Sequence, residues 1–407
     1  MASERHVIVA GAGIAGLTAA LALVRAGLRV TVLEQAPRLE EAGAGLQLSP
    51  NATRVLEALG LRERLLPLVT APQAIRVMNG GSGREIARIP LGGDALRRYG
   101  APFLTIHRGD LQAVLSEAAR AQRDITLELG VRVDDFASHP NGITVQGHRG
   151  RQVVDERGIA LIGADGIWSG VGAKLRRQRG PRFAHRTAWR ALVPVDAVPA
   201  EFQQPFVHLW LGLDAHLVHY PVKGGRLINF VGIVHDKWSE TGWAAAGDRD
   251  EILRQFARWS WAENARGLIA IPERWVKWAL YDRRAPFKGG AGPVTLIGDA
   301  AHPMLPFLAQ GAGMAIEDAA VLAACLGDNR EDPVRALRTY EAARATRTAR
   351  AAKASRKQAR IYGLTGPEGF VRNTVMRMSG GEKLLGRYDW LYNWQPPELV
   401  ARPDQPL

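Results

Sequence analysis

The sequence predicts an α/β protein. A parallel sheet wound with helices is assembled from separated parts of the chain around an inserted mixed β-sheet domain, and a helical segment ends the molecule. Three observations predict this. The stretch HVIVAGAGIAGLTAALALVRAGLRVTVLE, residues 6 to 34, reads as β-branched strand, glycine turn, helix and second strand. Apolar strands of the same kind return in GIALIGADG, mid-chain, and in PVTLIGDAAH, very late, the latter followed by the helical GMAIEDAAVLAACLG. Between them, residues 182 to 284 are rich in strand formers and hold Trp189, Trp210, Trp238, Trp243, Trp259, Trp261, Trp275 and Trp278.

The first stretch could also be read as a greasy targeting or membrane segment. A signal peptide needs a basic start and an unbroken apolar run, whereas Glu4 precedes a run broken by Gly11, Gly13 and Gly16. The run ends at Arg25 and is marginal for a membrane span. A βαβ unit accounts for it better, because parallel strands buried on both faces read as continuous apolar runs.

At 407 residues the chain is long enough for two domains. The expected division is a discontinuous nucleotide-binding domain of residues 1–70, 100–181 and 285–345, a substrate domain of residues 71–99 and 182–284, and a C-terminal helix and tail, 346–407. In that tail, RYDWLYNW reads as irregular chain packing its aromatics onto the body.

With 46% apolar and 23% charged residues the composition is that of a globular protein. The single Cys325 rules out an intramolecular disulfide and any multi-cysteine metal or redox centre, so no metal is expected and a reducing, cytoplasmic location fits. The net charge of +13 raises nucleic acid as a partner, but Glu341 to Arg360 alone holds seven basic residues against one acidic. There Arg344, Arg347, Arg350, Lys353 and Arg356 recur every three residues and precess around a helix, with no aromatics between them. This reads as a solvated helix, with neither nucleic acid nor membrane as partner.

Gly11, Gly13 and Gly16 form GxGxxG between strand and helix, with Glu34 ending the next strand. The first glycine permits the turn, the second lets a pyrophosphate approach the backbone, and the third allows close helix packing. The helix N-terminus offers free N–H groups to the phosphates, and Glu34 can accept hydrogen bonds from a ribose diol. This Rossmann-like motif does not separate NAD from FAD.

Two distant stretches do. GADGIWSGVGAKLR places Asp165 at the end of one strand, and LIGDAAHPMLPFLAQGAGMAIEDA places Asp299 at the end of another. Together with the opening turn they resemble the flavoprotein aromatic hydroxylases, single-component FAD monooxygenases of the p-hydroxybenzoate hydroxylase type, over about residues 5 to 345. GAGLQLSPNA, HLVHYPV and the Asp299 stretch look most like the salicylate hydroxylase and 6-hydroxynicotinate 3-monooxygenase branch.

The resemblance implies that Glu34 binds the adenosine ribose, Arg108 in IHRGDL contacts the FAD phosphate and ribitol region, and Asp299 holds a ribitol hydroxyl. It implicates Asp165 in both FAD and nicotinamide cofactor binding, and sets Gly311, Ala312 and Gly313 against the flavin ring at a helix start. Plainer readings stay open. Asp299 could cap the next helix, Asp165 could be a turn residue, Arg108 a surface ion pair, and His302 a flavin-side neighbour or part of the turn.

The implied reaction is hydroxylation of a small aromatic acid or phenol with O2 and NADH or NADPH, through a flavin C4a-hydroperoxide. An electron-rich phenolate reacts more readily, so a base beside the substrate hydroxyl is expected. His216 and Tyr220 in DAHLVHYPV would share one face of a strand, with His219 on the other. A histidine and a tyrosine at this spacing line the pocket in the 6-hydroxynicotinate branch, although a structural histidine is the alternative. Gln47 and Phe307 stand where that branch carries histidines, and MLPF is closer to salicylate hydroxylase. Both are candidate substrate contacts.

Two other functions compete. A flavin-dependent halogenase carries WxWxIP, which WSWAEN echoes until Glu263 and Asn264 replace Ile and Pro. A non-catalytic FAD-binding module would hold flavin that NAD(P)H does not reduce.

Overall fold

In the computed structural model, a parallel sheet takes its strands from distant parts of the chain. Its order is Val294–Leu296, Ala160–Gly163, His6–Ala10, Arg29–Glu34 and Ile125–Leu129, every neighbour parallel. The described residues are 5–39, 44–175, 180–238, 240, 242–257, 261–283, 287, 289–329 and 331–398; Trp259 and Arg284 lie outside them. Val7, Val9, Val30, Val32 and Ile162 are buried beneath the helices Ile14–Arg25 and Gly311–Asp328. Those helices close on Gly298 (φ +57°), where a Cβ would lie 3.0 Å from the Ala15 Cβ and 3.2 Å from the Ala315 Cβ.

A mixed eight-stranded sheet draws its strands from residues 74–90 and 182–282. Across it run Ala244–Gly247, Trp275–Asp282, Arg182–Pro194, Leu227–His235, Ala215–Val222, Phe206–Leu211, Ala74–Asn79 and Glu85–Pro90, in that order. The outer face buries Trp189, Trp210 and Phe230 with Phe256 and Trp261 from the covering chain. The inner face turns toward the parallel sheet's domain, because Gly45 donates to Asn229 Oδ1 at 2.7 Å and Thr105 Oγ1 donates to the Pro221 carbonyl at 2.6 Å. A small antiparallel sheet of residues 132–158 packs beside the first.

The C-terminal region departs from the sequence reading in two ways. Pro333–Tyr362 is one continuous helix running through the expected boundary at 345, and the chain after it forms further helices at Gly366–Ser379, Gly381–Gly386 and Asp389–Tyr392 instead of irregular tail. The basic helix is also not simply solvated. Arg344 is buried, Arg347 binds Glu317 at 2.6 Å, Arg356 reaches Asp282 at 3.2 Å and Arg350 lies 4.1 Å over the Trp390 ring. Much of the basic excess therefore neutralises buried carboxylates or covers aromatic faces, roles that a count of charges does not reveal. Among the described residues no helix is long and apolar enough to cross a membrane, and no group of His, Cys, Asp and Glu could hold a metal ion.

On the outer face His208 and His219 stack at 4.4 Å between Phe202, Trp210 and Phe230. Burial pushes the His208 pKa down to about 3, and that of His219 well below the ordinary value. The unfolded chain therefore takes up protons below about pH 6.5 that the folded chain refuses. Denaturant unfolding should show full stability above about pH 6.5 and a loss approaching roughly 1.4 kcal/mol per pH unit for each histidine as the pH falls toward 4. In His219→Phe this slope should shrink; an unchanged slope would contradict the assignment.

Candidate active site

The site begins at the opening turn. Gly11 has φ +105°, and a Cβ there would lie 2.6 Å from the Ala164 carbonyl oxygen. At Gly16 a Cβ would fall 1.9 Å from the Gly11 oxygen, so helix and turn touch backbone to backbone. Gly13 differs: its backbone is ordinary extended chain, and a Cβ there would meet nothing within 4 Å. No side chain caps the helix that Gly13 opens, so its first N–H groups remain available to an anion. The protein's own packing thus explains two of the glycines, and the third fits a pyrophosphate lying against bare backbone.

Glu34 closes this end. Its two carboxylate oxygens accept from Ala12 N at 2.7 Å and Ala36 N at 2.8 Å, which fixes the group and leaves lone pairs for a ribose diol. The Asp165 carboxylate is used within its own loop. It accepts from Ser169 Oγ and, at 3.0 Å, from Val171 N, and so holds the loop that carries Ala164 against Gly11.

Asp299 lies deep in the molecule yet is solvent-exposed, as a group on the wall of an internal cleft would be. Burial raises its pKa, against the opposing charges of His302 and Arg108. Its Oδ1 is 3.9 Å from where a Cβ on Gly311 would stand, so the carboxylate faces the start of the Gly311–Asp328 helix. No side chain caps that helix either. Ala309, in the left-handed region at φ +51°, turns the chain into it, a strained conformation for alanine. Gly311, Ala312 and Gly313 therefore present N–H groups beside Asp299, a setting that suits the ribitol and the polar edge of an isoalloxazine.

Several supporting residues were not foreseen. Gln310 donates to Ser49 Oγ at 2.8 Å, Ser49 donates to Asn51 Oδ1 at 2.6 Å, and Asn51 donates to Gln310 Oε1 at 3.2 Å and Glu317 Oε1 at 2.6 Å. This closed ring pins the helix start to the Gly45–Leu48 strand region. Asp318 accepts from Gly298 N at 2.9 Å and pairs with Arg344 Nε at 2.7 Å and His302 Nε2 at 2.5 Å. Burial alone would raise the Asp318 pKa, but His302 and Arg344 hold it below the usual range; Asp318 in turn keeps the His302 pKa raised. His302 is thus a structural partner of the Asp299 loop.

The remaining candidates sit on the inner face of the eight-stranded sheet. His216 is buried with its ring 5.2 Å from Phe307 and 5.3 Å from Tyr362, and burial pushes its pKa down to about 3. Tyr220, four residues on, has Gln47 within hydrogen-bonding reach and a pKa raised by burial. Its ring approaches Gly45, where a Cβ would lie 2.7 Å from Tyr220 Cε2. His219 points the other way, into the stack with His208. Tyr362, the last residue of the long helix, was not anticipated at this wall because nothing local links it to His216.

These features fit FAD: a bare pyrophosphate turn, a fixed ribose acceptor, an exposed carboxylate and an uncapped helix start that the carboxylate faces. The chain belongs to the FAD binding domain family, whose match covers residues 4–355, and is an FAD-dependent aromatic monooxygenase using NAD(P)H. It is 36% identical over 400 residues to the 3-hydroxybenzoate 6-hydroxylase of Polaromonas naphthalenivorans (strain CJ2), covering 98% of each chain. It is 33% identical to the 6-hydroxynicotinate 3-monooxygenase of Pseudomonas fluorescens over 84% of this chain and 88% of that one. A solved salicylate hydroxylase substrate complex aligns with TM-score 0.80 at 26% identity over 97% of each chain. The family read from the three motifs is the one to which the chain belongs.

The glycines separate fold from ligand. Gly16→Ala should destabilise even flavin-free protein, by about 2 kcal/mol or more. Gly13→Val should leave the flavin-free melting temperature nearly unchanged while flavin content falls sharply. Absorbance per polypeptide and thermal unfolding measure both; equal loss of stability in the two variants would contradict the distinction.

Proposed function

We propose that this enzyme hydroxylates a small aromatic acid bearing a ring hydroxyl, a hydroxybenzoate or a close relative, with O2 and NADH or NADPH as co-substrates. The observation that carries the reading is that His216 and Tyr220 share one face of a strand, with the ring of Phe307, four residues before Gly311, 5.2 Å from His216. Relatives named for 3-hydroxybenzoate and 6-hydroxynicotinate support it, since both names describe a ring carrying a hydroxyl and a carboxylate.

When bound, FAD supplies the redox chemistry, taking a hydride from the nicotinamide and activating O2 for transfer to the ring. This chain's residues do the rest. His216, held neutral by burial, accepts a hydrogen bond from the ring hydroxyl and so orients it and polarises its O–H bond. Tyr220, held protonated, donates a hydrogen bond, with Gln47 orienting it. Phe307 and Tyr362 exclude water beside His216. Glu34, Arg108, Asp299 and Gly311–Gly313 hold the cofactor, with Gln47 and Phe307 on the substrate side. Residues 71–99 and 182–284 serve as the substrate domain in this reading. The setting is the reducing cytoplasm, with no nucleic acid or membrane as partner.

Turnover with a panel of hydroxybenzoates, scoring NAD(P)H consumed, peroxide released and hydroxylated product formed, tests the reading. At least one acid should stimulate NAD(P)H oxidation with matching product; oxidation that no aromatic acid stimulates would overturn it. His216→Ala should lower product by roughly tenfold to a hundredfold, the range of a lost buried hydrogen bond, with FAD content retained. Unchanged turnover would remove His216 from the chemistry.

A further inference from the structure

We propose that Arg190 recognises the carboxylate of the substrate and makes the enzyme selective for aromatic acids over their neutral counterparts; the proposal rests on the aromatic-acid reading above. Arg190 lies on the inner face. It is in register with Val231, which is in register with Val218, the residue midway between His216 and Tyr220. Residues in register across a sheet share a face, so Arg190 occupies the same wall as those two, two strands away.

Its environment differs from that of the arginines on the long Pro333–Tyr362 helix. Arg344 is matched by Glu317 and Asp318, Arg347 by Glu317, and Arg356 by Asp282. The Arg190 guanidinium lies 4.7 Å over the Trp278 ring, makes no hydrogen bond or ion pair with any described residue, and keeps a buried Nε without a partner. Tyr220 and Arg108 lie within electrostatic reach of it; Tyr220, held protonated, is neutral, and Arg108 has the same sign as Arg190. A lysine so placed could shed its proton, but a guanidinium cannot, so the charge persists. A half-buried cation with a second cation in reach is better satisfied once an anion arrives, and a ligand can bring one. A carboxylate suits the planar fork of donors, and Trp278 holds the plane of that fork. With the acid group at Arg190 and the ring hydroxyl at His216, the two polar ends of the substrate are held from different strands.

FAD is the other anion that enters this cleft, and the experiment separates the two. The flavin absorbance of holoenzyme is titrated with 3-hydroxybenzoate and with 3-hydroxybenzamide, for the unsubstituted protein, Arg190→Gln and Arg190→Lys. The unsubstituted protein should prefer the acid by roughly tenfold to a hundredfold, the range for a hydrogen-bonded charge pair. Arg190→Gln should bring the ratio close to one by weakening the acid, with amide affinity within about twofold and FAD content unchanged, and Arg190→Lys should fall between. A ratio preserved in Arg190→Gln overturns the proposal, as does loss of FAD with the ratio intact in the flavin-bound fraction. If Arg190→Gln fails to fold, the ratio in Arg190→Lys decides: a fall supports the proposal and an unchanged ratio overturns it. Absence of any response of the unsubstituted holoenzyme to hydroxybenzoates removes the aromatic-acid reading and the proposal together, whereas a response with an unaltered ratio in the variants removes only the proposal.

Discussion

Asp318 gathers two separate parts of the chain around one carboxylate. Its oxygens receive the Gly298 amide, the His302 ring and the Arg344 guanidinium, all in a fully buried position on the Gly311–Asp328 helix. Gly298 and His302 flank Asp299, so Asp318 fixes the loop that aims Asp299 at the helix start, while Arg344 ties in the thirty-residue helix behind it. Breaking one partner of such a buried pair costs about 3–5 kcal/mol, comparable with much of a domain's net stability. The geometry of the Asp299 loop is therefore set from behind, by the buried Asp318 and Arg344.

From that anchor the two walls follow. One is backbone: the turn at Gly13 and the start of the Gly311 helix, both free of side-chain caps and both offering N–H groups. The other is side chain: His216, Tyr220 and Arg190 on the inner face of the sheet, each enclosed enough for burial to govern its charge. Burial keeps the histidine neutral and the tyrosine protonated, but it cannot neutralise the arginine. On the proposed reading that wall offers an acceptor, a donor and a cation to a phenol and a carboxylate on one ring.

What the sequence made legible is what acts locally. The GxGxxG spacing, Glu34 at a strand end, Asp299 after an apolar strand and the four-residue step from His216 to Tyr220 each follow from a period or a turn, and the fold class rests on the same signals. The ring of Ser49, Asn51 and Gln310, by contrast, joins residues about 260 positions apart, and nothing in either segment points to the other. The basic helix was misread for the same reason, because Arg344 and Arg347 look solvent-facing until Glu317 and Asp318 are placed beside them. Asp165 shows a different limit. A motif marks where a carboxylate is needed, but not whether it turns to a ligand or, as its bonds to Ser169 and Val171 indicate, to its own loop.

The most direct test of the account is a crystal structure of the FAD-loaded protein with a bound hydroxybenzoate. The account predicts the ring between the inner sheet face and the Gly311 helix start, its hydroxyl within hydrogen-bonding distance of the His216 imidazole. A ring bound elsewhere, or bound here with His216 turned away from every polar atom of the ligand, would contradict it.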